Sequence, residues 1–322
     1  MTPFTVRYCA NFSSALCRAT ENAAKFATAN LIERAENLNG YLPIRPLVLG
    51  GDDVTCLVRS DLAIDYALDF CQRFQAETKE QLEAIKETFH NIAHFDVSQL
   101  PKLLTASGGI VFQKSGQPFI TANEFAEKLC KYAKALTKQE AKQQSVGPAA
   151  LAYHKLSSVM AADVDSTLDQ VLLSKLNGVD IYTGTYRFLV EPSASQPYSF
   201  AAIKDLILSL QAPERDFPIT TSKWRKLLGH MSQTETDNLS RTLALYEKHA
   251  SKDYLNEVKQ KFAHFGGTDD GAWWYWPHPD KDNTLQTVIS DLIILERYWL
   301  TARHRTSQPT SDPANNSNKE IS

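Results

Sequence analysis

Two short runs of β-forming residues, joined by paired glycines and paired aspartates, constrain the fold of this chain most strongly. The runs cover residues 46–49 and 54–59, and the joint at residues 50–53 reads GGDD. Runs rich in Val, Leu and Thr on both sides of such a joint predict a β-hairpin. The joint has no apolar residue to bury, so the hairpin places two negative charges at its tip.

Segments with helical periodicity surround the predicted hairpin. Residues 13–37 form an alanine-rich helix pattern, and apolar residues in 61–94 return at helical spacing, with a break expected near Thr78. The next three segments, a strand, a helix and a strand, cover residues 103–114, 121–138 and 149–158. This order predicts an α+β chain with a ferredoxin-like βαββαβ palm whose first strand is missing or divergent. The hairpin is expected to lie centrally in the palm sheet.

The second half of the chain has a different pattern. Helical stretches dominate between residues 199 and 300, and strand signals are few. We therefore predict a palm domain over residues 1–195 and a helical C-terminal domain over 196–302. Residues 303–322 are polar, interrupted by proline and free of aromatic residues, and we expect them to form a disordered tail.

Composition and charge restrict the class of protein. The 322 residues are 43% hydrophobic and 22% charged, which is typical of a globular protein. The net charge of -3 excludes a global basic field that would attract nucleic acid. No apolar run is long enough to span a bilayer, so no membrane partner is expected. The five cysteines are odd in number and lack a C-x-x-C pair, which predicts free thiols in a reducing cytoplasm.

The paired aspartates of the joint have two interpretations. Gly and Asp are common turn residues, so a solvated turn is the ordinary one. The alternative is that Asp52 and Asp53 share a divalent metal, because Mg²⁺ is commonly held by one or two carboxylates plus substrate phosphates. Two such ions can activate a hydroxyl and stabilise a leaving pyrophosphate. Gly50 and Gly51 would then leave room for a nucleotide beside the backbone.

Several segments together resemble one protein family. The segments are "FSSALCRATENAA", "RPLVLGGDDVTCLVRSDLAIDYALDF", "LTASGGIVFQKSGQPF", "AEKLCKYAK" and "LAYHKLSS". In this order and spacing they resemble the second palm domain of the large subunit of type III CRISPR effector complexes. That family is related to GGDEF nucleotide cyclases and palm-type polymerases. The resemblance covers residues 12–160 and extends more loosely into the helical part.

The resemblance implies a function in antiviral defence. In that family the palm binds ATP and two metal ions, Mg²⁺ or Mn²⁺, and makes cyclic oligoadenylates when the complex holds target RNA. By position, the catalytic and metal-binding pair corresponds to Asp52 and Asp53. The nucleotide-binding positions correspond to Gly50, Gly51, Ser107 and Lys134. The implied partners are ATP, other effector subunits and, indirectly, guide and target RNA.

The sequence also departs from the family pattern. Family members usually carry an acidic strand before the first helix, and here the nearby polar candidate is Asn11. A His-Asp dipeptide, typical of the family's nuclease domain, does not occur, so DNA cleavage is not expected. Two functions therefore remain open: an ATP-dependent nucleotidyltransferase or cyclase, and a palm-fold scaffold that binds nucleotide or RNA without turnover.

Aromatic and histidine residues outside these motifs have both a functional and a structural interpretation. The segment 273–276 reads WWYW, which could stack bases but is more typical of a packing anchor or a subunit interface. His90 and His94 are spaced to share one helix face, but no third zinc ligand is near in the sequence. His154 falls on a predicted strand near the site, where a structural role competes with a functional one.

Overall fold

The fold was obtained as a computed structural model. It describes residues 3–35, 38, 40–90, 97–141, 146–156, 166, 172–193, 197–211, 219–231, 236–268 and 273–300. The described part is mixed α+β, as predicted. Residues 301–322, which include the predicted disordered tail, lie outside the described residues.

Helices account for most of the regular structure. In chain order, helices α1 to α8 are Pro3–Arg34, Ala63–Phe89, Phe119–Ala141, Phe200–Gln211, Thr221–Met231, Thr236–His249, Lys252–Ala263 and Ile289–Leu295. A short 3-10 helix covers Val97–Gln99, and a π-helical turn, Glu296–Leu300, continues α8. None of the helices in the described ranges combines the length and the apolar character that crossing a membrane requires.

Strands form three small sheets. In chain order, strands β1 to β9 are Ile44–Gly50, Asp53–Val58, Ser107–Phe112, Ala150–Lys155, Leu173–Leu176, Val179–Tyr182, Arg187–Leu189, Trp276–Pro277 and Thr284–Gln286. The sheets have the orders β1-β2, β3-β4-β7 and β5-β6-β9-β8.

Helices α1 and α2 pack along each other. Small side chains recur on every fourth residue of α1 and are buried, at Ala15, Ala19, Ala23 and Ala27. Because alanine is small, larger side chains of α2, including Phe74 and Leu82, pack directly against this stripe. The break predicted near Thr78 is wrong, because α2 continues through it. The buried Thr78 hydroxyl instead accepts from the Leu104 N–H at 3.0 Å, which ties α2 to the segment before β3.

The hairpin is present but not where we expected it. β1 and β2 pair antiparallel from Ile44↔Val58 to Gly50↔Asp53, which confirms the predicted hairpin. Among the described strands neither pairs with β3 or with any strand outside the hairpin, so a central place in a palm sheet is wrong. Residues 3–10 belong to α1, and the one described strand that lies beside β2 is β1.

Helix α3 connects two strands of the three-stranded sheet. β3 and β4 are parallel, with Ser107 opposite Ala150, and α3 is the crossover between them. A Cβ at Gly109 would collide with the carbonyl oxygen of Ala126 in α3. Gly109 therefore allows the backbone of α3 to approach β3 closely.

The four-stranded sheet crosses the boundary predicted between residues 195 and 196. β6 is parallel to β9, with Ile181 opposite Leu285. One buried apolar cluster also runs from Ile64 in α2 to Leu300. The helical character of the C-terminal part is as predicted, but the described parts of the two segments share a sheet and a core. Sequence patterns missed β8 and β9 because they are only two and three residues long.

The aromatic segment around residue 274 is a packing anchor. Trp273, Trp274 and Trp276 are buried. Trp273 donates to the Glu247 carboxylate at 2.8 Å, and Trp276 donates to the Tyr198 hydroxyl at 2.6 Å. Because the three tryptophans are buried and the indole N–H groups of Trp273 and Trp276 are satisfied, these residues are not a platform for bases.

Candidate functional site

The candidate site begins at the tip of the β1–β2 hairpin. Gly51 has φ +59°, a left-handed conformation that strains other L-residues, so the turn requires glycine there. Gly50 has no such requirement, and a Cβ at this position would meet no described atom within 4 Å. The space beside Gly50 is therefore open, and a ligand can approach the backbone closely.

A buried hydroxyl on α1 holds the turn. Thr20 is 1% exposed, and its Oγ1 donates to the Gly51 carbonyl oxygen at 2.7 Å. This contact fixes the turn against the helix, and the neighbouring Asp52 and Asp53 are exposed. Sequence analysis missed Thr20, although a hydroxyl beside the alanine stripe of an amphipathic helix was a signal that it could have used.

The two aspartates are available to a ligand. Both side chains are exposed. Within the described ranges neither carboxylate forms an ion pair or accepts a hydrogen bond. Adjacent carboxylates without a partner repel each other, so a cation between them would be stabilising.

A cysteine on α3 brings the separate motifs together. The Cys130 thiol donates to the Ser107 carbonyl oxygen at 3.2 Å. Burial raises the pKa of Cys130, Lys134 lowers it, and Asp53 and Glu127 raise it. Asp53 and Lys134 therefore both lie within electrostatic reach of one sulfur atom, beside the first residue of β3. Cys130, which sequence analysis did not assign to the site, therefore contacts Ser107 directly and lies within the electrostatic influence of Asp53 and Lys134.

Lys134 is one helical turn beyond Cys130 on α3. Its side chain is exposed, and in the described part of the chain it has no carboxylate partner. A lysine ammonium is a point charge that contacts phosphate oxygens without a fixed geometry. Its position on the same face as Cys130 suits a phosphate group that lies between α3 and the hairpin turn.

Ser107 is at the site, but its hydroxyl is engaged. Its Oγ lies 3.0 Å from the Thr137 Oγ1, one further turn along α3. A ligand could contact this hydroxyl only by sharing or replacing the bond to Thr137. The backbone carbonyl of Ser107 holds the Cys130 thiol.

The site offers two carboxylates to a metal. Exposed aspartate oxygens are the ligands that Mg²⁺ and Mn²⁺ prefer, so Asp52 and Asp53 fit one such ion. Across the described ranges no group of three or more His, Cys, Asp or Glu side chains could hold a metal. The remaining ligands would have to be water and the phosphate oxygens of a nucleotide.

His154 is a core residue and does not join the site. His154 is buried in β4, with its ring 5.3 Å from Phe125 and 5.2 Å from Tyr186. Burial lowers the pKa of His154 to about 4, so the ring is neutral at pH 7 and acts as a core residue. His94 lies outside the described residues. The five cysteines are free, as predicted.

No known family model matches this chain, and no curated protein matches it either.

Proposed function

We propose that this chain binds ATP with Mg²⁺ or Mn²⁺ at the hairpin turn. In this proposal it is a palm-type nucleotidyltransferase of a type III CRISPR-like antiviral system in the cytoplasm, and its product is a cyclic oligoadenylate. The carrying observation is that Asp53 and Lys134, from motifs far apart in the sequence, both act on the Cys130 thiol. An acidic turn and an unpartnered lysine supply the groups that a metal-bound triphosphate needs.

Each residue has a distinct role in this mechanism. Asp52 and Asp53 would hold the metal, which would neutralise charge on the phosphates. Gly50 and Gly51 let the nucleotide lie against the turn, and Lys134 contacts the triphosphate. The 3′-oxygen of one ATP bonds to the α-phosphorus of another, and the bond from that phosphorus to the β-phosphate oxygen breaks. The 3′-hydroxyl proton leaves to water, and pyrophosphate is released.

A second function is supported by a different observation. In the described residues, no third metal-ligating side chain accompanies Asp52 and Asp53. A turn with only two carboxylates can hold a nucleotide and one ion without aligning two ions for transfer. The second candidate is therefore a scaffold that binds nucleotide or RNA within a defence complex and does not turn it over.

Calorimetric titration tests whether the chain binds ATP. Both candidate functions include this step if the ligand of the scaffold is a nucleotide. The chain is titrated with ATP in Mg²⁺, in Mn²⁺ and in EDTA, and we expect binding only with metal. Lys134→Gln should weaken binding, whereas Lys131→Gln, an exposed lysine on the same helix, is the matched control and should not. Equal affinity with metal and with EDTA would contradict the proposed site.

The Cys130 thiol gives an independent measurement of where ATP binds. Alkylation by N-ethylmaleimide is followed for each cysteine by peptide mass spectrometry. We expect metal and ATP together to slow alkylation of Cys130, whereas the exposed Cys9 is unaffected. Protection of neither or of both cysteines would place the nucleotide elsewhere.

A product assay separates the two functions. The chain is combined with the proteins of neighbouring genes and with target RNA, and labelled ATP is supplied. Oligoadenylate product supports the transferase. Metal-dependent ATP binding without product supports the scaffold.

A further inference from the structure

A second group of functional side chains lies on the opposite side of α3 from Cys130 and Lys134. It consists of Tyr132 on α3, Tyr182 on β6, Arg187 on β7, and His278 and Lys281 in the connection between β8 and β9. We refer to these five residues as the cation–aromatic cluster. Two residues along an α-helix turn the side chain by about 200°, which is why Tyr132 faces away from the hairpin site.

Two cations of the cluster lie over aromatic rings. The Arg187 guanidinium carbon is 4.3 Å from the centroid of the Tyr132 ring. The Lys281 ammonium is 4.2 Å from the centroid of the Tyr182 ring and also donates to the Tyr182 hydroxyl. Such contacts hold cations in place without neutralising them. The His278 ring lies 5.3 Å from the Tyr182 ring, so it borders the same position.

Lys281 and Arg187 both act electrostatically on the His278 ring, and a contact between α3 and Asp280 brings the β8–β9 connection to the helix that carries Tyr132. Burial lowers the pKa of His278, Asp280 raises it, and Lys281 and Arg187 lower it further. Arg187 has no carboxylate partner in the described ranges. The Asp280 carboxylate accepts a hydrogen bond from the Gln139 amide at 3.2 Å. Positive groups held together in this way would be stabilised by an anion.

The protonation state of His278 adds a hydrogen-bond donor. The Asp280 N–H donates to the Nδ1 of His278 at 3.0 Å. A neutral imidazole whose Nδ1 accepts carries its proton on Nε2. The cluster therefore presents an N–H from His278, the ammonium of Lys281 and the guanidinium of Arg187.

The backbone before Arg187 is held rigidly. Tyr186 has φ +53°, a conformation that non-glycine residues rarely adopt. The carboxylate of Asp291 holds it there by accepting from the Thr185 N–H at 2.7 Å and the Tyr186 N–H at 2.9 Å. Strained backbone that persists under such constraint is typical of functional positions, and here it fixes the start of β7 at Arg187.

We propose that the cation–aromatic cluster binds the phosphate of a nucleoside phosphate, with the base against the rings of Tyr182 and His278. A guanidinium fork, an ammonium and an imidazole N–H can contact several oxygens of one phosphate. Aromatic rings beside a phosphate contact favour a base over a simple anion. A free nucleotide and a single-stranded oligonucleotide share this chemistry, and the experiment distinguishes them.

Binding is measured in EDTA, so that the metal-dependent hairpin site does not contribute. The probes are AMP, a labelled single-stranded oligoadenylate and inorganic phosphate. The variant carries Arg187→Gln and Lys281→Gln. Lys175→Gln, on β5 of the same sheet as Tyr182, is the matched control, because Lys175 is exposed and paired with Asp180 at 2.6 Å.

We expect the double variant to weaken binding about tenfold or more, because charged hydrogen bonds to phosphate are strong, and the control to change it less than about twofold. AMP that binds as well as the oligonucleotide would identify a free nucleotide as the ligand, and oligonucleotide binding alone would identify a strand. Failure of the wild type to bind AMP or oligonucleotide would overturn the proposal, as would unchanged binding by the double variant. If the double variant does not fold, Lys281→Gln and His278→Asn replace it, each with an expected loss of about threefold.

Discussion

Two tight turns in this molecule use aspartate in opposite ways. At the hairpin tip, Thr20 anchors the Gly51 carbonyl, and Asp52 and Asp53 face solvent without partners among the described residues. At the turn before β7, Asp291 is fully buried. Its carboxylate accepts from Thr185, Tyr186 and Tyr153.

The difference separates structural from functional carboxylates. Burial of a carboxylate is costly, and several hydrogen bonds offset the cost at Asp291. The carboxylates of Asp52 and Asp53 avoid that cost by exposure, and they stabilise nothing in the described part of the chain. The folded chain therefore loses little stability when the hairpin aspartates bind a ligand, whereas it loses much stability when Asp291 is removed.

The largest expected effect is on folding, from Asp291→Ala. This change leaves two backbone N–H groups and the Tyr153 hydroxyl without an acceptor. We expect the free energy of unfolding to fall by about 3–5 kcal/mol. Urea unfolding measures it, with Asp52→Ala as the comparison and an expected change within about 0.5 kcal/mol. Similar losses for both variants would remove the distinction between the two turns.

The pH dependence of stability sharpens the same comparison. Burial raises the pKa of Asp291 to about 6 from an ordinary value of 3.8. The folded state therefore favours the protonated acid. The contribution of Asp291 to the free energy of unfolding falls by about 3 kcal/mol as pH rises from 3.8 to 6. Burial lowers the pKa of His154 to about 4 from 6.5, so its contribution is lost as pH falls through this window.

These two contributions oppose each other, so the unfolding free energy of the wild type should depend only weakly on pH between pH 4 and 6. Variants that remove one of the two groups should show a stronger dependence. Asp291→Asn leaves His154, so unfolding free energy should rise with pH in this range. His154→Gln leaves Asp291, so it should fall. Urea unfolding at several pH values measures both slopes, and slopes of the same sign would show that one of the two assignments is wrong.

The hairpin turn should respond to Asp53→Asn in activity and not in folding. The substitution preserves shape but removes one negative charge from the metal ligands. We expect oligoadenylate production, or metal-dependent ATP affinity if the chain is a scaffold, to fall by about two orders of magnitude. Stability should be unchanged or slightly higher, since adjacent charges no longer repel. Glu33→Gln, an exposed acid on α1, is the control, and equal activity in the Asp53 variant and this control would exclude the site.

Local sequence patterns predicted most of the helices and the strands β1 to β4, but not the five short strands β5 to β9 or the assembly of the elements. Apolar spacing identified α2, α3 and the hairpin, because burial on one face leaves a period in the sequence. The same reasoning placed a helix break at Thr78, because it could not see that the hydroxyl bonds to Leu104 in another element. The separate hairpin sheet was also missed, since strand order depends on contacts between distant segments.

The candidate site was predictable in the same partial way. The GGDD joint and Lys134 follow from motifs, but the contact of Cys130 with Ser107, and the influence of Asp53 and Lys134 on its thiol, depend on tertiary packing. Asp291 carried no signal, because one aspartate in a helical stretch does not show that its partners lie in a turn more than 100 residues earlier. Chemistry that is local in the sequence was found, and chemistry assembled by tertiary contacts was not.

The smallest expected effect tests how the hairpin turn is held. Thr20→Val keeps the shape of the side chain but removes the donor to the Gly51 carbonyl. We expect a loss of about 1 kcal/mol in unfolding free energy, because a single neutral hydrogen bond is removed. Metal-dependent ATP affinity, measured by calorimetry, should fall severalfold, because the turn that carries Asp52 and Asp53 loses its anchor.

A conservative substitution separates positioning from packing at Thr20. Thr20→Ser retains the hydroxyl but removes a methyl group, so it should lose stability while affinity for metal and ATP stays close to the wild type. Thr20→Val should instead change the affinity for metal and ATP more than it changes stability. If the serine variant loses as much affinity as the valine variant, packing of α1 beneath the turn matters and the hydrogen bond does not. If neither loses affinity while the wild type binds, the aspartates are positioned by the hairpin alone.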